Sequence, residues 1–352
     1  MRSHTAAPEN RPAPAQRPTP FHRLATLHPA WARWHKPLLT LAAAFIAYLV
    51  LISVVLVLTI LVLALVPGRN VALGVASGDP TSPLDVTLAL AMGATWVPAG
   101  LIGVRFGGWR PLGTLLSVAG RMRRELLGAY GAWGAGMGAV VVAVAAVAGA
   151  LSGAGGGAGS GASVPQLLLV AVVVLVLAPL QAIGLELTLR GAVLQAIGTW
   201  LRAPLLPILA ATAVVLIGRA LTAAVVLPAL ALGLAAAVLA WKSGGLELPI
   251  VLTATVMIAS HLVSAVGAGS GAGAGAAALN AAAAAPGTSS AALTQTAVQA
   301  DGAALAGGLG AAIALLVLTG ASLAWISARE GIGLLEPVSR GAGEPAPEPV
   351  PF

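Results

Sequence analysis

Residues 38–66 read LLTLAAAFIAYLVLISVVLVLTILVLALV, twenty-nine positions without one charged side chain. A helix crosses the hydrocarbon core of a bilayer in roughly 20 apolar residues, so this run spans it with length to spare. The rest of the chain agrees. Its 352 residues are 58% hydrophobic and 8% charged, with a mean hydropathy of +0.96. A water-soluble globule of that composition could not cover itself with polar surface. The preceding 37 residues are rich in Pro, Arg and His, and the run itself is too long for a secretory h-region and lacks a small-residue cleavage site, so it is expected to remain as a helix.

Similar runs predict spans near 85–105, 127–150, 164–189, 204–222, 223–241, 247–266 and 303–327. The fold class expected is all-α, a polytopic integral membrane bundle of about eight transmembrane helices. Its parts are a basic, Pro-rich tail over 1–37, a bundle over 38–266, a Gly/Ala-rich loop over 267–302, a last span over 303–327 and a second Pro-rich tail over 328–352. An Ala-rich helix within 267–302 is the alternative to a loop there. With the N-terminus cytoplasmic, every one of the eighteen Lys and Arg residues falls at a cytoplasmic end or loop, save Arg69 in an outer loop and Arg219 within a span. The positive-inside rule then predicts a multi-pass plasma-membrane protein with both termini in the cytoplasm.

Composition also excludes functions. Without Cys there is no disulfide, thiolate metal site or cysteine nucleophile. The net charge of +7 is scattered between apolar runs, not gathered into an aromatic-interleaved patch, so no nucleic-acid partner is expected. His4, His22, His28 and His35 lack ligand spacing, and neither a metal nor another cofactor is expected. The Gly-rich run 153–161 follows no strand and lacks the Lys-Ser/Thr ending of a phosphate loop. A transporter would show polar residues on several spans and internal symmetry, and neither is clear. The segment near 108–126, with Arg121, Arg123 and Arg124 beside Trp109, Leu115, Leu116 and Val118, reads either as an amphipathic element on the anionic leaflet or as a solvated loop.

Ala178-Pro179-Leu180-Gln181-Ala182-Ile183-Gly184-Leu185-Glu186-Leu187-Thr188-Leu189-Arg190-Gly191 is followed downstream by Gly233-Leu234 and Trp241-Lys242-Ser243-Gly244-Gly245-Leu246-Glu247. This order resembles the CPBP intramembrane endopeptidases, the CAAX-protease, bacteriocin-processing and Abi-type group, with the core at about 164–266. Phe21-His22-Arg23-Leu24-Ala25 and Lys36-Pro37-Leu38-Leu39 are similar to members from high-GC bacteria. The resemblance implies cleavage of prenylated or membrane-embedded peptides by a Glu general base, with His and Asn polarising the reacting centre. Aligned without gaps, Leu185 stands at the first Glu of the motif, Glu186 at the second and Arg190 at its Arg. Arg219 replaces a His, and Thr253 and Met257 stand where the last His and Asn belong.

Leucine accepts no proton and methionine cannot donate to an oxyanion. The expectation is therefore a degenerate, proteolytically inactive member. It would act as a membrane interaction or regulatory protein, its partners being the lipid bilayer and a membrane-embedded or prenylated peptide or another membrane protein. The alternative is an active endopeptidase that relies on Glu186. His261 lies eight residues late for the lost His, nearer the outer end of its helix.

Glu186 and Arg190, four apart, share a helix face and can pair. Arg219, costly in lipid, is expected to face the bundle and join them in an ionic cluster. An anion or substrate site lined by the two arginines, and snorkelling of Arg219 to an interface, are the other readings. Glu247 near Lys242 reads as a helix-start charge at the cytoplasmic surface, and Trp109, Trp133, Trp200 and Trp241 as interface anchors.

Overall fold

The computed structural model describes residues 18–65, 78–153, 161–219, 221–284, 302–342 and 344. The expectations for Arg69 and for the outermost parts of both tails lie outside these residues. The chain is a bundle of α-helices with almost no sheet. Among the described residues, seven helices are long and apolar enough to cross a membrane: α1 Lys36–Ala64, α2 Pro83–Gly108, α3 Arg124–Ser152, α4 Val164–Trp200, α6 Ala223–Ser243, α7 Glu247–Val266 and α9 Gly302–Glu330. Between them lie the shorter α5 Leu205–Leu216 and α8 Gly271–Ala283. On α1, Phe45, Ile46, Leu49, Val50, Val54, Val57 and Leu58 are all exposed, an apolar surface suited to a membrane interior.

The structure corrects the expected spans in two places. At about 1.5 Å per residue α5 rises only about 18 Å, short of a hydrocarbon core about 30 Å thick. The expected span 204–222 is thus a short helix that breaks at Ile217. The second place is within 267–302, where Gly271–Ala283 takes the helical alternative to the expected loop. Ser270 caps α8 by accepting from the Gly273 amide, and the helix folds back into the bundle. Ala favours helix, and lipid offers the backbone no other hydrogen bonds. Its glycines permit close approach: a Cβ on Gly275 would stand 2.3 Å from the Ala145 carbonyl oxygen, and one on Gly149 2.3 Å from that of Gly271.

The segment between α2 and α3 forms no regular amphipathic helix and is not a solvated loop; it packs on the bundle. Leu115 and Ser117 are fully buried. The Val118 amide donates to Gly244 O at 2.8 Å, and Leu246 N to Leu116 O at 2.9 Å. Arg123 reaches Glu247 with Nη2 at 2.7 Å and Nε at 3.0 Å, and gives Nη1 to Ser243 O. Glu247 is 1% exposed, so it is a buried ion-pair partner and not the surface charge expected. Arg110, buried in the same segment, gives Nη1 to Gln195 Oε1 at 2.6 Å, and burial pushes its pKa down to about 10.

Both tails dock on this face in part. Phe21 and Trp31 are buried, and Thr19–Pro20 (β1) pairs antiparallel with Ser339–Arg340 (β2). Lys242 Nζ donates to the carbonyls of Gly333 and Glu336, each at 2.6 Å. The strand pairing places both ends of the bundle on one side. Of the expected aromatic anchors, Trp109 and Trp200 are exposed and Trp241 is buried. Trp133 packs internally, stacked on Trp325 and bonded to Ser322.

Candidate functional site

Glu186 closes the regular part of α4, and residues 187–194 continue it as a π-helical turn. Such i→i+5 turns widen a helix and recur at functional sites. Glu186 precedes Trp200 by about 21 Å of helix, which sets it deep within the bundle. Its exposure is 1%, that of Arg190 3% and that of Thr253 2%.

Thr253 Oγ1 on α7 donates to Glu186 Oε1 at 2.8 Å. Arg190 Nε lies 3.3 Å from Glu186 Oε2, and its Nη2 donates to Gly233 O on α6 at 2.9 Å. One carboxylate thus ties α4 to α7, and one guanidinium ties α4 to α6. Among the described residues Oε2 accepts no hydrogen bond, its contact with Nε being electrostatic and off-axis. Beside it lies a cavity of about 20 Å³, lined by Leu185, Glu186, Arg190, Val215, Arg219 and Thr253 among others. That is room for one water.

The sequence placed Glu186, Arg190, Leu185, Arg219 and Thr253 at corresponding motif positions, and the fold brings all five to this cavity. Met257 stays apart, fully buried in the core one turn beyond Thr253. The expected ionic cluster is corrected at Arg219. Among the described residues Arg219 forms no salt bridge; it donates Nε to Val215 O, Nη1 to Ala281 O and Nη2 to Ala284 O. A helix end leaves its last four carbonyls without intrahelical partners, and lipid supplies none. Arg219 bonds carbonyls at the ends of α5 and α8 together, and its positive charge suits the negative pole of both helices. Carbonyls outcompeted the carboxylate because they lie beside it and Glu186 already holds Arg190.

No family model, curated protein or solved structure matches this chain.

His261 does not converge on Glu186. Its Nδ1 lies 2.8 Å from Met257 O, and its ring lines a separate cavity of about 100 Å³ with Asp79, Asp85, Gln181 and Asn280. Asn280, on α8, takes a hydrogen bond from Ser260 Oγ and gives Nδ2 to Ser264 Oγ at 2.7 Å. Neither Gln181 nor Asn280 is among the site residues expected from the sequence; for Asn280 the signal is an amide within a largely Gly/Ala run, for which lipid burial demands a partner. Among the described residues no group of three His, Asp or Glu side chains is placed to hold a metal ion.

Proposed function

We propose that this chain is a membrane-embedded interaction or regulatory protein with a helical core like that of the CPBP endopeptidases, its former hydrolytic centre serving as a structural ion pair. The observation that carries the reading is the environment of Glu186. It is the one acidic side chain among the described residues lining the one-water cavity, with Leu185 beside it and Thr253 and Arg190 as its polar partners. General-base hydrolysis needs a base free to take a proton and a donor for the developing oxyanion. Here the carboxylate neutralises a buried arginine, and apolar side chains fill much of the remaining wall. The partner is a membrane-embedded or prenylated peptide, or another membrane protein. The face that carries both chain ends is the cytoplasmic face of the plasma membrane, which the Arg-rich segments 23–36 and 121–124 support.

One observation favours the second reading, an active endopeptidase: Glu186 Oε2 accepts no hydrogen bond beside a space that admits a water. Incubation of the reconstituted protein with prenylated and transmembrane peptides separates the two. The first reading expects wild type and Glu186→Gln to leave the peptides equally intact, with a photo-crosslinkable peptide captured by both. Cleavage by wild type that Glu186→Gln abolishes would establish the second.

A further inference from the structure

We infer that the face carrying both chain ends holds a binding site for an anionic phospholipid, formed by Arg23, Arg33 and Arg202 at the junction of the N-terminal segment with α1 and α4. Three observations meet there. The first is unbalanced charge. Among the described residues on this face, Glu125 pairs with Arg121, Glu247 with Arg123, Glu330 with Arg329 and Glu344 with Arg340. Among the described residues, Arg23, Arg33 and Arg202 take part in no salt bridge, and Arg33 and Arg202 are exposed.

The second is proximity. His22 Nε2 lies 3.1 Å from Arg202 O, which sets the neighbouring Arg23 beside Arg202. Burial first, and the Arg202 charge second, lower the Arg23 pKa. Trp200 Nε1 donates to Trp34 O at 3.1 Å, which ties the backbone next to Arg33 to the end of α4. The like charges of Arg23 and Arg202 repel unless an anion lies between them. A phosphodiester accepts the planar fork of arginine in paired hydrogen bonds.

The third is the surface around the charges. Trp34 is 72% exposed and Trp200 44%, amphipathic rings at the depth of lipid headgroups. Below them Leu38 and Leu39 on α1, and Leu205 and Leu206 on α5, are exposed, giving acyl chains an apolar wall on either side of the end of α4. A free phosphate ion would use the arginines but not this wall.

The test uses the full chain purified in mild detergent and then mixed with phosphatidylglycerol, phosphatidylcholine or inorganic phosphate, with lipid retention read by native mass spectrometry. Wild type is expected to retain phosphatidylglycerol in preference to phosphatidylcholine. Each of Arg23→Gln, Arg33→Gln and Arg202→Gln is expected to weaken that retention about fivefold, from the loss of one basic residue near an anionic headgroup. Arg124→Gln, an exposed arginine elsewhere on the same face, retains the wild-type value. Equal retention of the two lipids, full retention by the Arg202→Gln variant, or displacement of the lipid by millimolar inorganic phosphate would each overturn the inference. Arg202 is exposed, so its variant reads binding even where Arg23→Gln disturbs folding.

Discussion

Arg219, at the break after α5, donates to the carbonyl of Ala281, at the end of the re-entrant helix α8. The contact joins two helix ends within the bundle and fixes where α8 stops, next to the cavity at Glu186. An arginine that looked like half of an ion pair is a cap.

Arg219→Leu is therefore expected to destabilise the protein by several kcal/mol, since each carbonyl left unsatisfied costs about 1–3 kcal/mol. Thermal unfolding in detergent reads the loss. Amide exchange should rise across 271–284 and stay low in α1, which locates the effect. Unchanged exchange in α8 would contradict the capping role.

At Glu186, removal of one partner is expected to be worse than removal of both. Arg190→Leu leaves a buried carboxylate unpaired, a change that costs about 3–5 kcal/mol in comparable buried pairs. The double variant Glu186→Leu with Arg190→Leu should recover much of that loss. Thr253→Val should cost less, about 1–3 kcal/mol for the lost donor. Additive losses across the double-mutant cycle would show that the pair is not coupled.

The Arg123–Glu247 pair predicts a comparable pattern on the face that carries the chain ends. Arg123→Gln loses both side-chain contacts with Glu247 and the bond to Ser243 O, and keeps the bond from its own amide to Glu247 Oε1. The loop 109–123 should then become sensitive to protease while the spans remain folded. A loop as resistant as wild type would mean that its backbone bonds to Gly244, Leu246 and the Glu247 carboxylate hold it unaided.

His22 gives the N-terminal docking a pH dependence of defined sign. It is 1% exposed, its Nδ1 has no hydrogen bond among the described residues, and burial, helped by the Arg23 charge and opposed by the Arg202 carbonyl, lowers its pKa below the ordinary 6.5. Undocked, the ring takes a proton more readily, so docking is fully stable above pH 6.5 and weakens as pH falls from there toward the lowered value. Fluorescence of the buried Trp31 should report the release, and His22→Phe should remove the pH dependence. Stability that rises on acidification would refute this.

Tight glycine contacts supply a last measure. Gly275→Val must push against the Ala145 carbonyl, and overpacking of this kind costs about 1–3 kcal/mol. Gly136→Ala, where a Cβ meets nothing within 4 Å, should leave the melting temperature unchanged or raised.

Much of the site was legible from the chain. The spacing of Glu186 and Arg190 sufficed for their pairing, because four residues on a helix are a local geometry. That Thr253 donates to Glu186 was not legible, because the two lie on different helices sixty-seven residues apart. The partner of Arg219 was not legible: the choice between a carboxylate and three carbonyls depends on where a Gly/Ala helix ends sixty-two residues later. Nor was the burial of Glu247, which reads locally as a helix-start charge at the surface while its partner, Arg123, lies 124 residues away.

By itself, the sequence determined that lipid is the solvent, that most helices cross it, and that Glu186 and Arg190 share one face, since apolar run length and helical periodicity are properties of consecutive residues. Only the tertiary structure decided that 271–283 folds back as a helix, that Arg219 caps it, and that His261 opens onto a different cavity from Glu186. Those outcomes are set by which buried donors and acceptors meet across the bundle, and no local pattern encodes that meeting.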